Sequence, residues 1–125
     1  MPVEQSEFLR VKRIKGKGRG VVARCAIPAD TVIERAPVLV IPEDELDDSV
    51  LVNYVYHWGR NTVALALGYG SLYNHSFTPN AKYEDIGRQT KVFTALRDID
   101  EGEEITINYH GDPEGEGDLH FDVLE

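Results

Sequence analysis

The chain has 125 residues, 42% of them hydrophobic, and a formal net charge of −9. That length suits one domain with a modest core, here taken as residues 1–125. The negative balance argues against direct contact with nucleic acid, because phosphate binding needs basic surface. No apolar run approaches the roughly 18 residues of a membrane span. The start, MPVEQSEFLR, lacks the apolar stretch of a secretory signal. The expectation is no membrane contact and a cytoplasmic location, or a nuclear, chromatin-associated one in a eukaryote.

In chain order, residues 8–14 (FLRVKRI) read as a strand, and GKGRG (16–20) leads into a second strand with the β-branched Val21 and Val22. Cys25 is the only cysteine. One thiol allows neither an internal disulfide nor a thiolate zinc site, and it reads as a small residue on a semi-buried strand. Residues 27–30 form a turn, 31–34 a third strand and 37–41 a fourth, with an acidic loop or short helical turn over 42–49. Strand is favoured for 53–58, with a turn at Gly59-Arg60-Asn61 and a hairpin partner in 62–67. GYGSLYNHS (68–76) is too glycine-rich for a long helix and allows a single turn near Ser71–Leu72. Strands at 81–85 and 91–96 join through Gly87, and the last strand covers 105–109. Many short strands with almost no helix predict a small, mainly β domain.

Charge is unevenly spread. Residues 1–24 carry seven Lys and Arg against Glu4 and Glu7, whereas residues 101–125 carry nine Asp and Glu and neither Lys nor Arg. An acidic face attracts a basic peptide.

Three segments stand out. A phosphate-binding reading of GKGRG needs a helix after the glycines, and a Val-Val strand follows instead. Taken alone, the segment is a hairpin turn. NHSFTPN (74–80) has no metal-ligand spacing, since His57, His110 and His120 show no paired pattern. Ser71 fails the GxSxG spacing of hydrolases. Alone, this segment is a turn capped by Asn74 with a hydrogen-bonded, buried His75. GEEITINY (102–109) is a turn and strand ending in tyrosine.

Together and in this order, the three segments resemble the SET-domain lysine methyltransferases. The match comprises Gly18-Arg19-Gly20 before VVA, then Asn74-His75-Ser76 with Pro79-Asn80, then Gly102-Glu103-Glu104-Ile105 ending in Tyr109. It spans about residues 8–110, and the small size is similar to the stand-alone bacterial and viral members. The resemblance implies a β-clip-like fold of several small sheets. It also implies a C-terminal pseudoknot that brings 74–80 beside 105–109.

What the resemblance implies about function follows residue by residue. The cofactor is S-adenosylmethionine, leaving as S-adenosylhomocysteine, and Lys17, Gly18, Arg19, Gly20, Asn74, His75 and Tyr109 line its site. Arg19 or Lys17 meets its carboxylate. Tyr109 and Tyr83 are the catalytic tyrosines. Tyr69, Tyr73, Tyr83 and Phe121 are channel candidates for the target lysine, whereas Tyr54, Tyr56 and Trp58 read as core or interface. The substrate is a lysine in a basic protein such as a histone; the alternative is a non-catalytic binding module of the same fold. A third channel tyrosine is absent where ERAP (34–37) stands, so the degree of methylation stays open. The zinc-binding flanks of many members are missing too. The acidic tail 111–125, through Leu119, Phe121 and Val123, or a second subunit in a homodimer, is then expected to cover the site.

Overall fold

The computed structural model describes residues 6–46, 50–87 and 89–109. Nine strands fall in two sheets, with two short 3-10 turns as the helical content among the described residues. Strands β1 (Leu9–Ile14), β2 (Gly18–Ala23), β9 (Glu104–Ile107) and β6 (Asn74–His75) make the first sheet, in that spatial order. The second runs β4 (Val55–His57), β5 (Thr62–Ala66), β3 (Val32–Pro42), β8 (Thr90–Ala95) and β7 (Ala81–Ile86).

Several expectations change. Residues 31–34 and 37–41 are not two strands but the two halves of β3. Its first half, through Pro37, pairs with β8, and Val38 onward pairs with β5. Pro37 therefore stands where the strand changes partner and an N–H is least needed. Strand 53–58 shortens to β4, because Val50–Asn53 winds into a 3-10 turn. Cys25 lies in a bend after β2 and is exposed, not on a semi-buried strand. The predicted turn at 59–61 is present, with Asn61 at φ 59, a left-handed conformation that asparagine tolerates.

A further correction bears on the site. Asn74 and His75 are not a turn but a two-residue strand, paired in parallel with β9 as Asn74 opposite Thr106 and His75 opposite Ile107. The Ser76 N–H continues this ladder to the Ile107 carbonyl at 2.9 Å. Residues 74–76 and 104–109 are thus adjacent, the juxtaposition that the resemblance implied. A core of Leu9, Val21, Ile33, Phe93, Ile105 and Ile107 fills the space between the sheets, each at most 2% exposed. Burial of such side chains contributes roughly 1.5–3 kcal/mol apiece.

The strands at the two ends of the second sheet also meet. Tyr56 of β4 and Tyr83 of β7 pack edge to face with ring centroids 5.0 Å apart. This closure carries aromatic side chains from distant segments to one end of the sheet, beside Tyr109.

Candidate active site

Two cavities meet at Tyr109. The larger, of about 730 Å³, is lined by Lys17, Gly18 and Arg19 of the first hairpin, by Leu67 and Gly68, and by Tyr73 and Asn74. Its volume is in the range of a cofactor-sized site. The smaller, of about 180 Å³, is lined by Asn53, Tyr54, Tyr56, Ser71 and Tyr109 among others. Asn53, Tyr54, Ser71 and Tyr109 belong to both.

The wall of the large cleft is tied together by one carboxylate. The Asn74 amide Nδ2 donates to Glu104 Oε2 at 2.7 Å and to the Arg19 carbonyl at 3.2 Å. Lys17 Nζ lies 3.1 Å from Glu104 Oε1. Strands β2, β9 and β6 are thereby cross-linked behind Lys17 and Asn74, which line the cleft. A Cβ on Gly20 would stand 2.6 Å from Glu104 Oε2 and 2.8 Å from Asn74 Nδ2, so this close approach requires glycine. Of the two cations expected to meet a cofactor carboxylate, Lys17 is held by Glu104. Arg19 is exposed and has no ion pair among the described residues.

Tyr109 and Tyr56, with Tyr83 packed behind them, form an aromatic group beside the small cavity, and each hydroxyl donates to a backbone carbonyl. Tyr109 donates to the Tyr73 carbonyl, Tyr83 to the Tyr109 carbonyl at 3.1 Å, and Tyr56 to the Gly70 carbonyl at 2.6 Å. With the proton committed, each oxygen offers only lone pairs to any further partner. Tyr109 is fixed from a second side, because its N–H donates to His75 Nδ1 at 2.9 Å. His75 is buried and lines neither cavity.

Burial holds the Tyr83 and Tyr109 hydroxyls up at about 12, from an ordinary 10.0. Nearby acidic groups, Asp85 for Tyr83 and Glu104 for Tyr109, push the same way. Both remain protonated at neutral pH. Between pH 10 and about 12 the unfolded chain loses protons that the folded protein keeps. Stability is therefore full below 10 and falls through that window. Each ring, partly screened by solvent, contributes up to about 2 kcal/mol. Alkaline unfolding followed by circular dichroism, beside ultraviolet titration of tyrosinate, checks this. Ionisation of all six tyrosines near pH 10 without loss of fold would refute it.

The other expected site residues fall as follows. Gly20 is buried against Glu104 and Asn74 and lines no cavity, while Tyr73 lines the cofactor-sized cleft and not the small aromatic cavity. Tyr83 lines neither cavity and packs behind Tyr56 and Tyr109. Tyr69 also lines neither; its N–H donates to Glu34 Oε2 at 2.8 Å. Phe121, with Leu119, Val123 and the tail 111–125, lies outside the described residues.

Residues that the sequence did not single out complete the site. Tyr54 and Tyr56, read as core or interface, line the small cavity. Glu34, at the position where a third tyrosine was sought, is 8% exposed and accepts from Tyr73 Oη at 2.7 Å. Burial holds its carboxyl above the usual carboxylate range, opposed by these two hydrogen bonds. Lys91 is fully buried, with Nζ 4.1 Å from the Tyr56 ring centroid, 4.2 Å from that of Tyr83 and 2.5 Å from Asp85 Oδ1. The NYVYHW cluster was the available signal for Tyr54 and Tyr56. Nothing in the sequence marked Glu34 or Lys91.

Comparison with known proteins shows the family. Residues 18–110 match the family model described as the SET domain. The chain is 38% identical over 114 residues to a histone-lysine N-methyltransferase, H3 lysine-37 specific, of Schizosaccharomyces pombe, covering 87% of this chain and 77% of that one. It is 23% identical over 121 residues to the histone-lysine N-methyltransferase SETD7 of Halocynthia roretzi, covering 78% of this chain and 30% of the relative. A crystal structure of a candidate histone methyltransferase of Plasmodium falciparum superposes with a TM-score of 0.71 at 32% identity, covering 86% of this chain and 95% of that one. With the family match covering most of its length, the chain belongs to the SET-domain family.

Proposed function

We propose that this protein transfers a methyl group from S-adenosylmethionine to a lysine side chain of a histone. The observation that carries the reading is the meeting of a cofactor-sized cleft and a narrow aromatic cavity at Tyr109. The names of the relatives support histone as the substrate class.

The residues present suit the cofactor. Lys17, Gly18, Arg19, Asn74 and Tyr109 line the cleft, with Arg19 available to its carboxylate through a charge-assisted contact. Bound there, S-adenosylmethionine supplies the electrophilic methyl. The lysine enters by the small cavity. Methyl transfer is an in-line displacement, so amine and methyl must be aligned near contact, and the junction of the two cavities provides that alignment.

The amine must first be neutral. A free lysine has a pKa near 10.4, so neutrality at about pH 8 costs roughly 3 kcal/mol. Enclosure by Tyr54, Tyr56 and Tyr109 strips water and disfavours the ammonium form. The Tyr109 oxygen, its proton held by the Tyr73 carbonyl, accepts an amine N–H and turns the nitrogen lone pair toward the methyl. The same oxygen would suit weak C–H···O contacts from a methyl group brought to this junction. With its pKa up at about 12, Tyr109 orients the amine and does not act as the base.

The test is transfer of labelled methyl into a panel of histones and other basic proteins, beside Asn74→Ala. That change removes the tie to Glu104 and the Arg19 carbonyl. Label that enters a histone and disappears with Asn74→Ala is the expected result. Cofactor binding by calorimetry without label in any protein would favour the non-catalytic binding module. Absence of both would end the methyltransferase reading.

A further inference from the structure

The net charge of −9 conceals a segregated surface. Residues 10–24 hold seven Lys and Arg and no Asp or Glu. They form the β1–β2 hairpin, and β1 is the outer strand of its sheet. Lys17 is paired with Glu104. Arg10, Lys12, Arg13, Lys15, Arg19 and Arg24 are exposed and make no ion pair among the described residues.

Their placement is not that of an ordinary solvated edge. Arg13 lies directly opposite Arg19 in the strand register, and like charges so placed destabilise a strand pair. Basic residues on an outer strand do discourage edge-to-edge pairing. That explains Lys12 or Arg10. It does not explain Lys15 in the turn; Arg19, on the inner strand, lines the cleft and is already given to the cofactor carboxylate. Arg10 and Lys12 share one face, about 6.8 Å apart, and Arg13 points to the other. The cations thus run the length of the hairpin, with Arg13, Lys15 and Arg19 nearest its tip and Arg10 and Arg24 at its base. Arg10 lies opposite Val22, and Val22 opposite Glu104, so Arg10 shares the sheet face of the cleft's carboxylate.

We propose that this hairpin tip docks on the phosphate backbone of duplex DNA and holds the protein on DNA-bound histone. The inference rests on the histone reading above. Histones in chromatin are presented on DNA, a dense polyanion that repels a chain of net charge −9 over most of its surface. The hairpin is the densest run of cations in the chain, so the field orients the encounter as well as drawing the protein in. A two-stranded ribbon is also a shape that the major groove admits. The contact is made through phosphates and carries no base specificity.

The variant Arg10→Thr/Lys12→Thr/Arg13→Thr/Lys15→Thr removes four cations and spares every residue that lines the two cavities. Three readouts are compared with the unaltered protein: binding to a short DNA duplex across salt concentrations, methylation of a free histone H3 tail peptide, and methylation of reconstituted nucleosomes. The unaltered protein should bind the duplex with a log affinity that falls linearly with log salt. In the variant that slope should flatten by about one per cation removed. Nucleosome methylation should fall about tenfold or more near physiological salt, with the peptide rate unchanged.

An equal nucleosome-to-peptide ratio in both proteins would overturn the inference. So would a nucleosome defect when the unaltered protein does not bind the duplex, which would point to an acidic protein surface instead. Should the variant misfold, the salt slope of the unaltered protein on the duplex decides the matter. Duplex binding without methylation of either substrate would count against the methyltransferase reading and leave the DNA contact standing.

Discussion

Replacing Tyr109 with Phe is expected to lower turnover on the order of 100-fold, the scale on which loss of alignment acts, while cofactor affinity stays within a few-fold. The ring keeps its contacts, with Tyr56 6.4 Å and His75 5.1 Å away between centroids. The backbone N–H of residue 109 keeps its hydrogen bond to His75. What is lost is one oxygen at the junction of the two cavities. Loss of its bond to the Tyr73 carbonyl should cost about 1 kcal/mol of stability, too little to unfold the chain. Single-turnover methyl transfer measures the first effect and calorimetry with S-adenosylmethionine the second. Unchanged turnover would remove Tyr109 from the role given to it. Equal losses of turnover and cofactor affinity would make it a cofactor-binding residue only.

The route to Tyr109 was legible in the sequence because the family's motifs are short, contiguous and ordered. Gly18-Arg19-Gly20, Asn74-His75 and Glu104 through Tyr109 come from three separate segments, and the structure assembles them by strand pairing: β2 on β9, β9 on β6. The glycine at position 20 has a physical reason visible only in three dimensions, the approach of Glu104 and Asn74. The parallel ladder of Asn74 and His75 on β9 was hidden by its length. Two residues carry no periodicity, and the surrounding Ser, Thr and Pro read as a turn.

The small cavity was less legible. Tyr54 and Tyr56 come from a segment whose alternation is broken by the 3-10 turn at Val50–Asn53. Their position beside Tyr109 depends on β4 and β7 meeting across the closed sheet, which no local pattern encodes. Net charge, likewise, is an average over the whole chain. A chain-wide sum of −9 argued against nucleic acid, yet the hairpin gathers unpaired cations on one edge. Lys91 was missed because a lysine between Thr90 and Val92 looks like the outward member of an alternating strand. It points inward, and its ammonium is accommodated by two tyrosine faces and Asp85.

Glu34 was hidden for the same reason, and its removal should have the second large effect. Its carboxylate receives the Tyr69 N–H at 2.8 Å and the fully buried Tyr73 hydroxyl at 2.7 Å. Tyr73 in turn supplies the carbonyl that holds the Tyr109 hydroxyl. Glu34→Ala leaves two donors without an acceptor, at about 1–3 kcal/mol each, and opens a void beneath Gly68. A loss of about 3 kcal/mol or more in denaturant unfolding is expected, together with reduced turnover as the Tyr73 carbonyl shifts. Glu34→Gln retains one acceptor oxygen and removes a charge that burial disfavours, so its loss should be clearly smaller and its turnover nearer the parent's. Should Ala and Gln destabilise equally, the buried charge itself would be the stabilising element. Should neither change stability by more than about 0.5 kcal/mol, the 67–73 turn would be held by its own backbone bonds, Gly70 N–H to Leu67 and Leu72 N–H to Tyr69. The chain from Glu34 through Tyr73 to Tyr109 would then carry no energetic link.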